Sequence, residues 1–224
     1  MGNENAKRIQ TSLLNSVEKK VLVWLAMRMP KWVTSDMLTW LGFAAAVAYA
    51  VFCWLANENV NYLWLSSLCL VLNWFGDALD GNLARVRNTQ RPKYGFFIDH
   101  SIDALTTCLF CIGLGLTPFM SMNIALFIMI GYLSLSLHTY ICTMTLGEFR
   151  LTYASLGPTE VRLILILISI IYIYNPFGTW SVKIFGKQWS VYDFAGSIVA
   201  LALGIMYVVS VITDARKFPK GNDK

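Results

Sequence analysis

The pattern of apolar and polar residues predicts a bundle of long apolar helices. Six stretches are apolar over enough residues to cross a bilayer, for which a helix needs about 20. They cover approximately residues 37–56, 61–84, 95–117, 121–146, 161–176 and 191–213. Between the last two, residues 177–190 alternate apolar and polar positions, which predicts a short hairpin or interfacial loop. The expected fold class is an all-α integral membrane protein with six transmembrane helices.

The residues before the first span predict a helix that lies on the membrane surface. Residues 21–29 are apolar but too few to cross, and Trp24, Arg28 and Trp32 suit the boundary between lipid and water. An ordinary solvated helix is the alternative. We therefore expect an interfacial helix within residues 1–33, no cleavable signal peptide, a membrane domain over 34–216 and a disordered tail over 217–224.

Composition and charge support this interpretation and predict an orientation. Hydrophobic residues make up 56% of the chain and charged residues 14%, which argues against a soluble protein. The net charge of +5 follows the ends of the spans, so no nucleic-acid partner is expected. With the N-terminus in the cytoplasm, 16 of the 18 Lys and Arg residues fall on that side. The bias predicts that both termini, and the junction between the second and third spans, are cytoplasmic.

Four acids interrupt the apolar pattern at that junction. Asp77 and Asp80 end the second span, and Asp99 and Asp103 begin the third. At about 100° per residue, each pair falls on one face of its helix, so the pairs can meet across a helical hairpin. A lone carboxylate at membrane depth costs roughly 2.5–3.5 kcal/mol, so a bound cation would stabilise the group. Oxygen ligands without thiols suit Mg²⁺ or Mn²⁺, and two such ions would suit phosphoryl chemistry.

Three neighbours of the first acid pair share its helical face. Gly81 and Ala84 have little side-chain bulk, so a ligand carrying phosphate could approach the backbone there. Arg85 adds a positive charge that suits phosphate.

The same residues resemble the signature of the CDP-alcohol phosphotransferases. That signature reads D-x-x-D-G-x-x-A-R, then eight or nine residues, then G-x-x-x-D-x-x-x-D. The chain meets every fixed position, with Asp77, Asp80, Gly81, Ala84, Arg85, Gly95, Asp99 and Asp103. The resemblance implies a homodimeric six-helix enzyme of phospholipid biosynthesis in the bilayer. Such enzymes transfer a substituted phosphoryl group from a CDP-linked donor to an alcohol or lipid acceptor and release CMP.

The resemblance also suggests roles for the acids. Our hypothesis is that Asp77, Asp80 and Asp99 bind one metal ion and that Asp77, Asp99 and Asp103 bind or flank a second. By resemblance Asp103 would also accept the proton of the acceptor hydroxyl. A tightly bound carboxylate is a weak base, so His100, between the two acids, is the alternative.

Further residues are expected to contact the nucleotide. Gly81, Ala84 and Gly95 would make room for it, and Arg85 would meet its phosphate or stabilise the hairpin. The family has a T-P-N-x-L-T segment at the start of the first span, where this chain has Ser35 for proline and Asp36 for asparagine. These two residues either line the nucleotide site or cap the helix.

The acceptor or head-group site is expected near Arg150, Glu160 and Arg162, at the cytoplasmic ends of the fourth and fifth spans. An interhelical ion pair is the alternative role. The segment from Gly157 to Glu160, and His100 after Asp99, are similar to the choline and ethanolamine branch of the family. The donor therefore remains open between CDP-diacylglycerol and a CDP-amino-alcohol.

Two other functions are compatible with acids in a membrane protein. An ion transporter would use them as a pathway for divalent ions, although transporters more often distribute such acids over several helices. A membrane prenyltransferase would use Asp-rich motifs to bind Mg²⁺, but that class lacks the D-G-x-x-A-R run.

Overall fold

The computed structural model describes residues 7–9, 15–146, 148–150, 158–174, 181–184 and 187–218. Within them the helices are α1 (Asn15–Arg28), α2 (Ser35–Leu55), α3 (Tyr62–Val86), α4 (Pro92–Leu116), α5 (Met122–Leu146), α6 (Pro158–Tyr174) and α7 (Val191–Ala215). The predicted all-α class is confirmed. Most of the tail predicted to be disordered, residues 219–224, lies outside the described residues.

Four short strands accompany the helices within the described ranges. β1 (Lys7–Ile9) runs parallel to β2 (Glu148–Arg150), a pairing that has no counterpart in the prediction from sequence. β3 (Ser181–Ile184) runs antiparallel to β4 (Lys187–Ser190), which is the hairpin predicted within residues 177–190.

Five of the described helices are long and apolar enough to cross a bilayer, namely α2, α3, α4, α5 and α7. The sixth predicted span, 161–176, corresponds to α6, which has 17 residues. A helix of that length rises about 25 Å, less than the roughly 30 Å hydrocarbon core of a bilayer. Five of the six expected spans are therefore long enough to cross a bilayer, whereas α6, although one residue longer than the predicted span 161–176, is not.

Backbone contact between α2 and α3 fixes the centre of the bundle. A Cβ atom at Gly76 would lie 2.5 Å from the Leu38 carbonyl oxygen and 2.7 Å from the Gly42 nitrogen. No side chain fits in that space, so glycine is required for the approach, as at other close helix crossings in membranes. The crossing brings the start of α2 beside the acidic end of α3. We call this end of the bundle, where α3 ends and α4 begins, the motif end.

Helix α1 packs on α3 at the motif end. Its Leu22 and Ala26 are buried, whereas Trp24 and Met27 are exposed. A helix with one buried face and exposed large apolar residues on another fits the interfacial position predicted from sequence, which stays a prediction.

Arg87, just after α3, holds the linker between α1 and α2. It donates hydrogen bonds to the backbone carbonyls of Met29 (3.1 Å), Pro30 (2.7 Å), Lys31 (3.4 Å) and Val33.

Helix α7 exposes most of its surface and is attached mainly to α5. At its first turn Asp193 forms a capping box with Ser190 and accepts hydrogen bonds from the backbone nitrogen and hydroxyl of Ser121, at 2.8 and 2.6 Å. Near its middle, Leu203 packs so closely on Gly131 that a Cβ there would lie 2.8 Å from the Leu203 Cβ. These contacts align α7 with α5 along its length.

Candidate active site

Carboxylates from α3 and α4 line one cavity at the motif end. Asp77 comes from α3, and the i, i+4 spacing of Asp99 and Asp103 places both on one face of α4. The charges of Asp77, Asp80 and Asp99 all act on Asp103, so the four acids form one electrostatic group. The cavity is lined by Thr39, Gly42, Phe43, Asn73, Asp77, Asp99, Ile102, Asp103 and Thr106. The structure thus brings together the acids that the sequence placed on two helices.

Asp80 is held in place by α2. The Thr39 hydroxyl donates to its Oδ2 at 2.5 Å, and the Gly81 backbone nitrogen donates to its Oδ1. The Ser35 hydroxyl donates to the Asp80 backbone carbonyl at 2.8 Å. Because Thr39 also lines the cavity, these bonds fix Asp80 beside the other three acids.

His100 stands next to the acids on α4. Its Nδ1 lies 3.3 Å from Asp99 Oδ2, and one ligand atom from each of Asp99, His100 and Asp103 falls within 4.8 Å of the others. The ring centroid is 4.1 Å from that of Phe96 and 5.4 Å from that of Tyr140 on α5. The imidazole is therefore near the carboxylates and flanked by aromatic rings.

Arg162 on α6 pairs with Asp77 rather than pointing away from the acids. Its Nη2 donates to Asp77 Oδ2 at 2.7 Å, and its Nε donates to Asn73 Oδ1 at 2.8 Å. Asn73 in turn donates to the Gly42 carbonyl at 2.9 Å, so one buried chain of bonds joins α2, α3 and α6. The ion-pair role expected as the alternative is thus present, and contact with an acceptor stays a prediction.

The other two residues expected at the acceptor site lie nearby in the sequence. Glu160 is in the first turn of α6 and is buried. Arg150 ends β2, of which only the backbone course is described. Gly157 lies outside the described residues. Their roles remain predictions.

The small residues of the motif face open space. A Cβ at Gly95 would have no atom within 4 Å, and one at Gly81 would meet only the end of the Arg85 side chain at 3.9 Å. Ala84 is half-buried, and Arg85 is exposed and donates to Asn82 Oδ1 at 3.3 Å. Packing within the described chain therefore does not require glycine at 81 or 95, unlike at Gly76.

Neither Ser35 nor Asp36 caps α2. The N-cap is Thr34, whose hydroxyl accepts from the Met37 nitrogen at 3.2 Å, so the capping alternative for Ser35 and Asp36 is wrong. Asp36 instead forms a salt bridge with Arg91, and this hydrogen bond raises the pKa of Arg91. The start of α2 is thereby tied to the start of α4.

Several residues near the acids were missed by reasoning from sequence. Tyr132 and Tyr140 on α5 lie close enough to Asp103 for its charge to act on their hydroxyl groups. Their spacing of eight residues places them about 80° apart on the helix, a periodicity that could have shown a shared face. Glu18 of α1 accepts hydrogen bonds from Trp74 at 2.7 Å and Thr159 at 2.9 Å, joining α1, α3 and α6. No local sequence pattern predicts that contact.

Comparison with known proteins identifies the family. The family model for CDP-alcohol phosphatidyltransferase matches residues 32–213, which include Asp77, Asp80, Asp99 and Asp103. The chain belongs to this family. The predicted membership and enzyme class, that of transferases, are confirmed, and the family is generally dependent on divalent metal. Together with its apolar helices, membership makes the chain an integral membrane protein.

Individual relatives within the family are distant. Cholinephosphotransferase 1 from Homo sapiens is 24% identical over 180 residues, 77% of this chain and 44% of that protein. The Bos taurus protein of the same name is 23% identical over 211 residues, 91% of this chain and 48% of the relative. Phosphatidylinositol phosphate synthase from Cutibacterium acnes is 35% identical over 71 residues, 32% of each chain. Each match spans less than half the length of the relative.

Proposed function

We propose that this protein transfers a substituted phosphoryl group from a CDP-alcohol to an alcohol hydroxyl and releases CMP. The observation that carries the proposal is the meeting of Asp77, Asp99 and Asp103 around one cavity, with Asp80 fixed beside them. A membrane protein gains nothing in stability from grouping four acids in this way, so the arrangement indicates a bound cation. Because the chain belongs to the CDP-alcohol phosphatidyltransferase family, we prefer this function to the transporter and prenyltransferase hypotheses.

The donor set fits a hard divalent metal. The four acids offer carboxylate oxygens alone, and the thiols of α3 and α4 are not among the residues that line the cavity. Asp77, Asp80 and Asp99 would hold one Mg²⁺ or Mn²⁺, and Asp77, Asp99 and Asp103 would hold or flank a second. When bound, such ions neutralise the diphosphate of the donor and the charge on departing CMP.

The remaining chemistry belongs to the side chains around the acids. In the reaction the acceptor oxygen forms a bond to the phosphorus of the transferred group, the bond from that phosphorus to the bridging oxygen breaks so that CMP leaves, and the hydroxyl proton passes to a base. Asp103 is the first candidate for that base. His100 is the second, because its Nδ1 lies 3.3 Å from Asp99 Oδ2, beside the acids, and a neutral imidazole has one nitrogen that can accept a proton. Arg162 keeps Asp77 oriented, and the open space at Gly81 and Gly95 leaves room for the nucleotide.

We propose a CDP-amino-alcohol as donor and diacylglycerol as acceptor, ahead of CDP-diacylglycerol with a polar alcohol. The matches to cholinephosphotransferases cover most of this chain, whereas the match to phosphatidylinositol phosphate synthase covers about a third. In addition, the rings of Phe96 and Tyr140 beside the acids suit a quaternary ammonium, which binds to aromatic faces.

The test is an assay of CMP release from purified protein in lipid nanodiscs with Mg²⁺ or Mn²⁺. CDP-choline, CDP-ethanolamine and CDP-diacylglycerol are each paired with diacylglycerol, serine, glycerol phosphate and inositol phosphate, and lipid products are identified by mass spectrometry. We expect release to require the metal and to fall at least a hundredfold in Asp77→Asn and Asp103→Asn. Glu58→Gln, which alters an exposed acid in the loop between α2 and α3, is the control. Normal rates in either Asp variant would refute the assignment.

His100→Gln separates the two candidate bases. If His100 takes the proton, its loss should lower kcat by about 10² or more and remove the acidic limb of the pH profile, with little change in the metal requirement. If Asp103 is the base, the pH profile of His100→Gln should keep its shape.

A further inference from the structure

A second cluster of ligating side chains lies outside the acidic cavity, between α5 and α7. His138 and Cys142 come from α5 and Asp214 from the last turn of α7, and they are 9%, 7% and 3% exposed. His138 Nε2 lies 3.0 Å from Asp214 Oδ2 and 3.4 Å from Cys142 Sγ. Cys142 Sγ is 3.6 Å from the same Oδ2. One nitrogen, one sulfur and one oxygen thus form a compact, buried triangle.

The triangle has the dimensions of one face of a zinc tetrahedron. Bonds of about 2.0–2.1 Å to nitrogen and oxygen and about 2.3 Å to sulfur separate tetrahedral ligand atoms by about 3.3 Å for nitrogen to oxygen and about 3.6 Å for sulfur to either. The observed separations of 3.0, 3.4 and 3.6 Å agree with these to within about 0.3 Å. A metal could therefore enter with little movement of the side chains.

The sequence spacing and the chemistry agree with this geometry. His138 and Cys142 are four residues apart on one helix, the spacing by which a helix offers two ligands to one metal. Imidazole and thiolate favour Zn²⁺ over the hard ions that suit carboxylates alone. On α5 the pair points away from the acids, because His138 lies about 160° around the helix from Tyr140.

The charges in the cluster also suit a divalent ion. A thiolate and a carboxylate around a neutral imidazole supply two negative charges, which Zn²⁺ would neutralise while the thiol proton leaves to solvent. Asp214 Oδ1 lies 3.0 Å from the Lys217 ammonium, so this oxygen is held while Oδ2 faces the triangle. Lys217 follows the end of α7 and is exposed, so the cluster lies close to the surface of the described chain.

We propose that His138, Cys142 and Asp214 bind one Zn²⁺ ion that joins α5 to α7 at the motif end. Three protein ligands leave a fourth position for water or another donor. The site is independent of the acidic cavity and of the proposed transfer reaction.

The experiment uses the full chain in nanodiscs, treated with chelator and then titrated with Zn²⁺ or Co²⁺ in a large excess of Mg²⁺, which competes for the carboxylates of the acidic cavity. We expect one tightly bound Zn²⁺ per chain by elemental mass spectrometry, and with Co²⁺ a near-ultraviolet band from thiolate-to-metal charge transfer. Cys142→Ser should abolish the band and weaken Zn²⁺ binding at least tenfold, and Asp214→Asn should weaken binding similarly. Asp77→Asn should change neither, which separates this site from the acidic cavity.

Cys111→Ser is the matched control, because it alters another buried thiol that is absent from the cluster. Thermal unfolding of each variant without metal shows whether it folds. The proposal is overturned if the wild-type chain binds no stoichiometric Zn²⁺, if the cobalt band is absent, or if folded Cys142→Ser binds as tightly as wild type. Those outcomes would leave a hydrogen-bonded cluster as the role of the three residues.

Discussion

At the scale of single residues, two of the four acids, Asp77 and Asp80, depend on neutral residues around them. Thr39 donates to Asp80, and Asn73 holds Arg162, which in turn pairs with Asp77. Asp77 is hydrogen-bonded on Oδ2, which holds its Oδ1 in a fixed direction, and Asp80 is held through both of its oxygens. The geometry of the acidic cavity is therefore set partly by residues that carry no charge.

Replacing Thr39 by valine keeps the shape of the side chain and removes the donor to Asp80. A hydrogen bond to a charged group is worth about 1.5–3 kcal/mol, so we expect apparent metal affinity to fall about tenfold or more. The measurement is CMP release as a function of Mg²⁺ or Mn²⁺ concentration. Thr145→Val is the control, because Thr145 is exposed and its hydroxyl donates to the Ile141 carbonyl of its own helix at 2.8 Å. Equal metal curves for the two variants would contradict the role of Thr39.

Arg162→Lys keeps the charge but changes the geometry. The guanidinium bridges Asn73 and Asp77 through two nitrogens, whereas an ammonium on a flexible chain cannot match that fork. We expect kcat to fall about tenfold while thermal stability changes by no more than about 1–3 kcal/mol, the cost of one buried polar group left unsatisfied. An unchanged kcat would show that the orientation of Asp77 does not need a side chain that bonds to Asn73 and Asp77 at the same time.

The acids themselves were predictable from sequence because their helical spacing and their cost in lipid are local properties. Their partners were not. Thr39 is 41 residues from Asp80 and Arg162 is 85 residues from Asp77, and no periodicity connects residues so far apart. The capping role expected for Ser35 or Asp36 went to Thr34, one residue earlier, a shift within the uncertainty of any helix boundary drawn from sequence.

At the scale of helices, the glycines divide into two groups that sequence alone does not distinguish. Gly76 is required for the approach of α3 to α2, whereas Gly81 and Gly95 face open space. Apolar runs predicted the positions of the spans, but the backbone contact of α2 with α3 depends on tertiary packing. The β1–β2 pair likewise joins strands more than a hundred residues apart.

Gly76→Ala and Gly81→Ala form a matched pair that tests this division. The added methyl at Gly76 meets backbone atoms, so we expect about 1–3 kcal/mol of destabilisation and lower yield of folded protein. At Gly81 the methyl meets no backbone, so folding should persist while the KM for the CDP-linked donor rises. Thermal unfolding and CMP-release kinetics measure the two effects. Loss of stability in Gly81→Ala, or normal stability in Gly76→Ala, would be inconsistent with the assignment.

At the scale of the whole molecule, the sites discussed above lie at one end of the bundle. The acidic cavity, the Arg87 contacts to the linker before α2 and the His138 cluster are all at the motif end. The distribution of Lys and Arg predicts that this end faces the cytoplasm, and CDP-linked donors that are soluble would reach it from there.

Cysteine labelling in sealed, oriented vesicles tests this orientation. Lys93, in the first turn of α4, and Lys183, in β3, are both exposed and lie toward opposite ends of the predicted topology. An impermeant maleimide added to the cytoplasmic side should label Lys93→Cys but not Lys183→Cys, and the parent chain with its own cysteines gives the background. If only Lys183→Cys were labelled from that side, the opposite orientation would be the correct one.

The touching backbones of α2 and α3 have a consequence for where substrate preference can be altered in this protein. Because no side chain separates the two helices at Gly76, a larger residue there would push them apart, so the separation of Thr39 from Asp80 is set by the backbone. Changes in substrate preference are better sought at cavity positions away from the crossing, such as Phe43 of α2 and Ile102 of α4, and at Tyr140 of α5 near Asp103. A search for altered head-group selectivity would vary those positions and leave the Gly42–Gly76 crossing untouched.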